Sequence, residues 1–128
     1  MREPQAALPP EPDMARYRAS AVRRAAARSD ELRQREVRAW TVARQAAEVL
    51  RSRFGASRVV LFGSLVRPGA FTRWSDVDVA AWGLRPSETF AAVAAVLALD
   101  REVEVNLVDM GTCSPALAEA IDREGRPL

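Results

Sequence analysis

Two residue types are missing from this 128-residue chain: it contains no histidine and no lysine. Without histidine, zinc sites of the His–Cys kind, Ser-His-Asp triads and any mechanism with an imidazole base are excluded. The chemistry that remains belongs to carboxylates, hydroxyls, arginines, backbone amides or a bound metal. The missing lysine means that all 19 basic residues are arginine, a bias that a GC-rich genome explains more simply than a need for guanidinium groups. The single cysteine, Cys113, cannot form an internal disulfide, which fits a reducing cytoplasm. It has no base beside it in sequence, so a structural role is expected. No apolar run reaches the roughly 18 residues that a membrane span needs. Residues 1–13 lack the apolar segment of a secretion signal, so the expected location is the cytoplasm. With 48% hydrophobic residues, there is material for one modest core.

What is present is unevenly charged. Between Met14 and Phe54 arginines outnumber acids by 11 to 4, whereas beyond Gly55 acids outnumber arginines. Three segments follow: a proline-rich lead-in, expected to be disordered (1–13), a basic helical arm (14–54) and a core (55–128). The arm holds no glycine or proline, and Ala, Arg, Glu and Gln dominate it, so helix is favoured. Its second half carries an apolar stripe at Trp40, Ala43, Ala47, Leu50 and Phe54 that should face the core. The first half offers only a thin stripe, and Ser29-Asp30 suggests a break between two helices. Glu31 and Arg35 are spaced for an ion pair along a solvated arm. Contact with a partner protein ranks first for this arm, and nucleic acid last, because no aromatics interleave with the arginines.

In the core, Arg58–Phe62 reads as a buried strand. Asp76–Ala81 alternates acidic and apolar residues as a second strand, and Glu102–Val108 as a third. Between them, Ser87 is placed to cap a helix to about Ala98, with Phe90, Val93, Val96 and Leu97 inward. Ser114-Pro115 is an N-cap followed by proline at the first helical position, and Gly125 a stop. The order is long helix, β, β, α, β, α.

Asp76 and Asp78 are two apart on a strand, so both carboxylates project from one face. Held about 7 Å apart, they repel unless a cation lies beside them. Oxygen donors without thiolate or imidazole suit Mg²⁺. Alone, this pattern describes a solvated sheet edge equally well. Gly63-Ser64 changes the balance, since a strand ending in Gly-Ser lets the backbone approach a phosphate. The two features lie 13 residues apart, and together they form a site for a metal-bound triphosphate.

The string from Leu61 to Gly83, L-F-G-S-L-V-R-P-G-A-F-T-R-W-S-D-V-D-V-A-A-W-G, resembles the minimal nucleotidyltransferases of the DNA polymerase β-like superfamily. V-N-L-V-D-M and the last helix resemble that family's ending, so the likeness runs from Arg58 to Leu128. It implies an α/β (α+β) fold, a small mixed sheet with flanking helices, here joined to the long N-terminal helical arm. It implies that Gly63 and Ser64 bind the triphosphate of ATP and that Asp76 and Asp78 coordinate Mg²⁺. Arg67 and Ser75 match further positions of the nucleotide motif. The family's third carboxylate falls at Asn106, where this chain departs from the pattern. An amide is neither a base nor a good metal ligand. Glu104, two residues earlier, is the candidate substitute, while Asp109 lies on the opposite face. The resemblance further implies an antitoxin that transfers AMP to a hydroxyl, commonly a tyrosine, of a HEPN-type toxin and assembles with it. The alternative is an impaired transferase that neutralises its partner by binding alone. A small-molecule acceptor fits less well without a second domain to form its pocket.

Trp74, just before the aspartate strand, is expected to cover the loop, with stacking on a base as the other reading. Trp40 and Trp82 are expected to pack. Arg67 and Arg73 either neutralise phosphate charge or are solvated.

Overall fold

The computed structural model describes residues 13–128, so all of the proline-rich lead-in except Asp13 lies outside the described residues. The chain divides into two compact units, one ending at Glu31 and the other comprising Leu32–Leu128. In the first, helix α1 (Met14–Phe54) begins. Asp13 caps it, its carboxylate accepting from Arg16 N at 3.1 Å and satisfying an otherwise orphaned first-turn amide. No break falls at Ser29-Asp30: both residues are helical, because the segment contains no glycine or proline to interrupt the ladder.

In the second unit, α1 buries Ala39, Val42, Ala43, Ala46, Ala47, Leu50 and Phe54, at the three- and four-residue steps of one helical face. Trp40 lies beside this face, half-buried. Gly55 ends the helix with φ +70°, a conformation that side chains resist. A four-stranded mixed sheet follows, built from β1 (Arg58–Phe62), β2 (Val77–Trp82), β3 (Val105–Asp109) and β4 (Arg126–Pro127). Their order is β3-β2-β1-β4. β1 runs antiparallel to β2 and β4, whereas β2 and β3 are parallel. Parallel strands require a crossover, and this one is made through a 3₁₀ turn (Pro86–Glu88) and helix α2 (Thr89–Leu97).

Strand alternation sorts the side chains into two layers. Val59, Leu61, Val77, Val79, Ala81 and Val105 join α1 and, through Ala92 and Val96, α2 in the main core. Val60 and Ala80 face the other way and meet Ile121 of α3 (Pro115–Glu124). Ser114 caps α3 as expected, accepting from Leu117 N. Gly125 follows it where only glycine fits: a Cβ there would lie 2.3 Å from Val60 Cγ1.

Several boundaries differ from the sequence reading. β2 begins one residue after Asp76. β3 begins at Val105 rather than Glu102, because the Asp100 carboxylate accepts from Glu102 N and Val103 N and holds that stretch in a turn. Ser87 lies inside the 3₁₀ turn, and no side chain caps α2. Phe90 is 91% exposed and Leu97 is 43% exposed; the small Ala92 faces inward instead. β4 is an additional edge strand, short and containing a proline that donates no ladder bond.

Candidate functional site

β1 ends at Phe62, and Gly63 turns the chain with φ 81° and ψ −151°, a region open essentially to glycine alone. The turn carries Ser64 into a 3₁₀ turn (Ser64–Val66). Space makes a second demand on Gly63, since a Cβ there would lie 2.4 Å from Asp78 Oδ2. The Gly-Ser backbone and the second aspartate of Asp-x-Asp are therefore in direct contact across the β1–β2 pair. Register explains it: Asp78 stands opposite Phe62 in β1 and opposite Asn106 in β3.

Asp78 shares its face with Ala80, the side on which α3 packs. Asn106 Nδ2 is 3.4 Å from Asp76 Oδ2 and 3.5 Å from Asp78 Oδ1, long contacts at the limit of hydrogen bonding. Asp78 is half-buried, and that burial pushes its pKa above the ordinary carboxylate value. The Asn106 amide opposes the shift, the charge of Asp76 adds to it, and the cation of Arg67 opposes it. Two carboxylates and an amide thus converge beside a glycine turn, with an exposed arginine near enough to be felt.

Not every expected residue joins this cluster. Ser75 is engaged in the loop: its Oγ accepts from Thr72 N at 2.9 Å and lies 3.1 Å from Thr72 Oγ1. Glu104 is exposed, and its backbone carbonyl accepts from Val77 N at 2.9 Å. Among the described residues, no three Asp, Glu, Cys or His side chains gather as a metal site. The expected residues that the fold brings together are Gly63, Asp76, Asp78 and Asn106. Asp109, at the far end of β3, accepts from Thr89 Oγ1 at 3.0 Å. Trp74 does not cover the loop. It is 77% exposed, with the guanidinium of Arg73 over its ring at 4.6 Å.

A hard divalent cation fits this donor set. Asp76 and Asp78 would supply two oxygens, and Asn106 could add its amide oxygen by rotating its terminal group. That accounts for one ion; the carboxylate needed to hold a second is lacking among the described residues.

Sequence reasoning overlooked Arg35. Its spacing from Glu31 suggested only an ion pair along a solvated arm. Its fork reaches across to two carbonyls instead, Nη1 to Glu102 O and Nη2 to Ser75 O, both at 2.9 Å. The signal was available, since Arg35 lies four residues before Ala39 and so extends the buried stripe of α1.

Residues 43–122, well over half of the chain, match the family described as nucleotidyltransferase domain. Among curated proteins, none matches the chain. Among solved structures, a chain in a crystal structure of a toxin–antitoxin with AMP-PNP is 26% identical, with a TM-score of 0.56 over 66% of this chain and 70% of that one. A chain in the structure of the tri-AMPylated Shewanella oneidensis HEPN toxin in complex with MNT antitoxin is 22% identical. Its TM-score is 0.52, over 69% of each chain. The MntA–HepT toxin–antitoxin crystal structure gives 0.51 at 22% identity, again over 69% of each chain. At such identities the likeness speaks for a common fold, and the family match independently includes Gly63, Ser64, Asp76, Asp78 and Asn106. This chain belongs to the nucleotidyltransferase domain family.

Proposed function

We propose that this protein is an antitoxin that binds ATP with Mg²⁺ and transfers AMP to a hydroxyl, a tyrosine, of a HEPN-type toxin in the cytoplasm. The observation that carries the reading is the contact between the Gly63 turn and Asp78, with Asp76 beside it. It brings a backbone that can approach phosphates within reach of paired carboxylates that can hold a cation. Relatives of the same fold that are toxin–antitoxin complexes, one with AMP-PNP and one with an AMPylated toxin, support the choice of partner and donor.

When bound, Mg²⁺ supplies charge neutralisation between the carboxylates and the triphosphate. The chain does the rest. Gly63 and Ser64 receive the phosphates through backbone amides and the Ser64 hydroxyl, and Arg67 offsets their charge from the following loop. Ser75 acts by fixing the loop that leads into Asp76. The acceptor oxygen bonds to the α-phosphorus, the bond from that phosphorus to the bridging oxygen breaks, and pyrophosphate leaves. The hydroxyl proton passes to Asp78, the half-buried carboxylate beside Asn106, because Asn106 itself offers no basic site. The exposed arginines of the N-terminal part of α1 offer charge to an acidic face of the toxin.

Asn106 also motivates the second reading, an impaired transferase that neutralises the toxin by binding alone. The two separate in one experiment: incubation with ATP labelled in the α-phosphate, Mg²⁺ and a HEPN partner. Label on the partner that is lost in Asp76→Ala supports transfer. A tight complex without label, unaffected by Asp78→Ala, supports binding alone.

A further inference from the structure

Arg35 is the one described side chain with a buried polar atom lacking a partner. Its Nε is shielded from water and makes no hydrogen bond, while its guanidinium lies 6.0 Å from the centre of the Phe71 ring. Its hydrogen-bond partners are backbone carbonyls, not carboxylates. For holding α1 on the core, an apolar side chain would continue the stripe of Ala39, Val42 and Ala46 without burying an unsatisfied donor. What an apolar side chain lacks is the rigid two-pronged fork.

We propose that Arg35 is a positioning residue that sets the separation between Asp76 and Asn106. One prong holds Ser75 O, the peptide immediately before Asp76. The other holds Glu102 O, in the turn that leads into β3. The first ladder contact between the two segments is Val77 N to Glu104 O; Asp76 lies between that contact and the held Ser75 carbonyl, and Asn106 lies two residues past Glu104. A planar fork fixes both carbonyls at once, so the starts of β2 and β3 cannot slide apart without breaking one of its bonds. The inference rests on the nucleotide site proposed above, but its geometric half can be tested without any ligand.

The test compares wild-type protein, Arg35→Lys, Arg35→Met and a control, Val42→Ala, which weakens the same buried helix face. Two quantities are read: the side-chain amide resonances of Asn106 in metal-free protein, and the affinity for ATP in the presence of Mg²⁺. Both Arg35 variants are expected to shift the Asn106 amide signals and to weaken ATP by tenfold or more. Arg35→Lys should fall between wild type and Arg35→Met, because an ammonium keeps the charge but not the fork. Val42→Ala should lower the melting temperature and leave both quantities unchanged. Should Arg35→Met fail to fold, Arg35→Lys decides. Unmoved Asn106 signals in a folded Arg35 variant, or equal shifts in Val42→Ala, overturn the proposal. Absence of ATP binding in wild type would instead overturn the nucleotide site, while the amide signals still judge Arg35.

Discussion

Replacing Gly63 with alanine adds one methyl group and has two separable effects. The first is backbone strain: at φ 81° and ψ −151°, a side chain costs about 1–3 kcal/mol. The second is a collision, because the new Cβ would lie 2.4 Å from Asp78 Oδ2. Restoring ordinary contact requires the carboxylate to retreat by about 1 Å, and displacements of that size at a reacting centre cost on the order of a hundredfold in rate. Gly55→Ala supplies the control. Its φ is also positive, at +70°, but nothing lies within 4 Å of its added Cβ, so it carries strain of about 1 kcal/mol without a collision. For a unit of this size, each 1 kcal/mol lowers Tm by roughly 4–8 °C. Both variants should therefore melt earlier, and only Gly63→Ala should lose ATP affinity and AMP transfer. Thermal melts and ATP titrations on the two proteins decide the matter. Gly63→Ala retaining the affinity of Gly55→Ala would refute the claim that the Gly-Ser turn and Asp78 form one site.

Three further outcomes are expected. Two carboxylates should respond to pH in opposite senses. Burial raises the pKa of Asp78, so its ionisation weakens the metal-free fold as pH rises through that value. Asp78→Asn should then raise Tm near pH 7, with the gain gone below about pH 4. Asp100 is held below its ordinary value, first by its hydrogen bonds from Arg38, and so stabilises above about pH 4 and ceases to as pH falls through its folded pKa. Asp100→Asn should lower Tm near neutrality and match wild type in strong acid; melts across pH that show the reverse order contradict both assignments. Asn106→Asp would set a third carboxylate against Asp76 and Asp78, lowering metal-free stability by about 1 kcal/mol and increasing the stabilisation by Mg²⁺, as melts with and without the ion would record. Trp74→Ala and Phe90→Ser remove side chains that are 77% and 91% exposed, so each should leave unfolding free energy within about 0.5 kcal/mol of wild type by denaturant titration.

The fold was legible where pattern and packing agree. The stripe at Ala43, Ala47, Leu50 and Phe54, the run Arg58–Phe62 and the Ser114-Pro115 cap all lie where local rules put them. The errors have physical causes as well. Phe90 was expected inward because large apolar residues usually are, but α2 approaches the sheet through Ala92 and Val96. The start of β3 was misplaced because Asp100 binds two backbone amides, a long-range arrangement fixed by Arg38 from α1. β4 is two residues long and depends on pairing with β1, so no local signal marks it. Of the candidate site, the glycine turn and both aspartates could be read from spacing and alternation, and Asn106 only through the resemblance to the family. Arg35 could not be read by anyone pairing charges along the helix alone, since its partners are carbonyls 40 and 67 residues away.

In the proposed function, Asp76 and Asp78 hold one divalent cation against a nucleotide bound at Gly63-Ser64. Its most direct measurement is the count of Mn²⁺ bound per chain in the presence of ATP, by equilibrium dialysis, for wild type and for the Asp76→Ala, Asp78→Ala double variant. One ion held by the chain beyond what free ATP carries is expected, and none by the folded double variant. Undiminished Mn²⁺ in the double variant would contradict it.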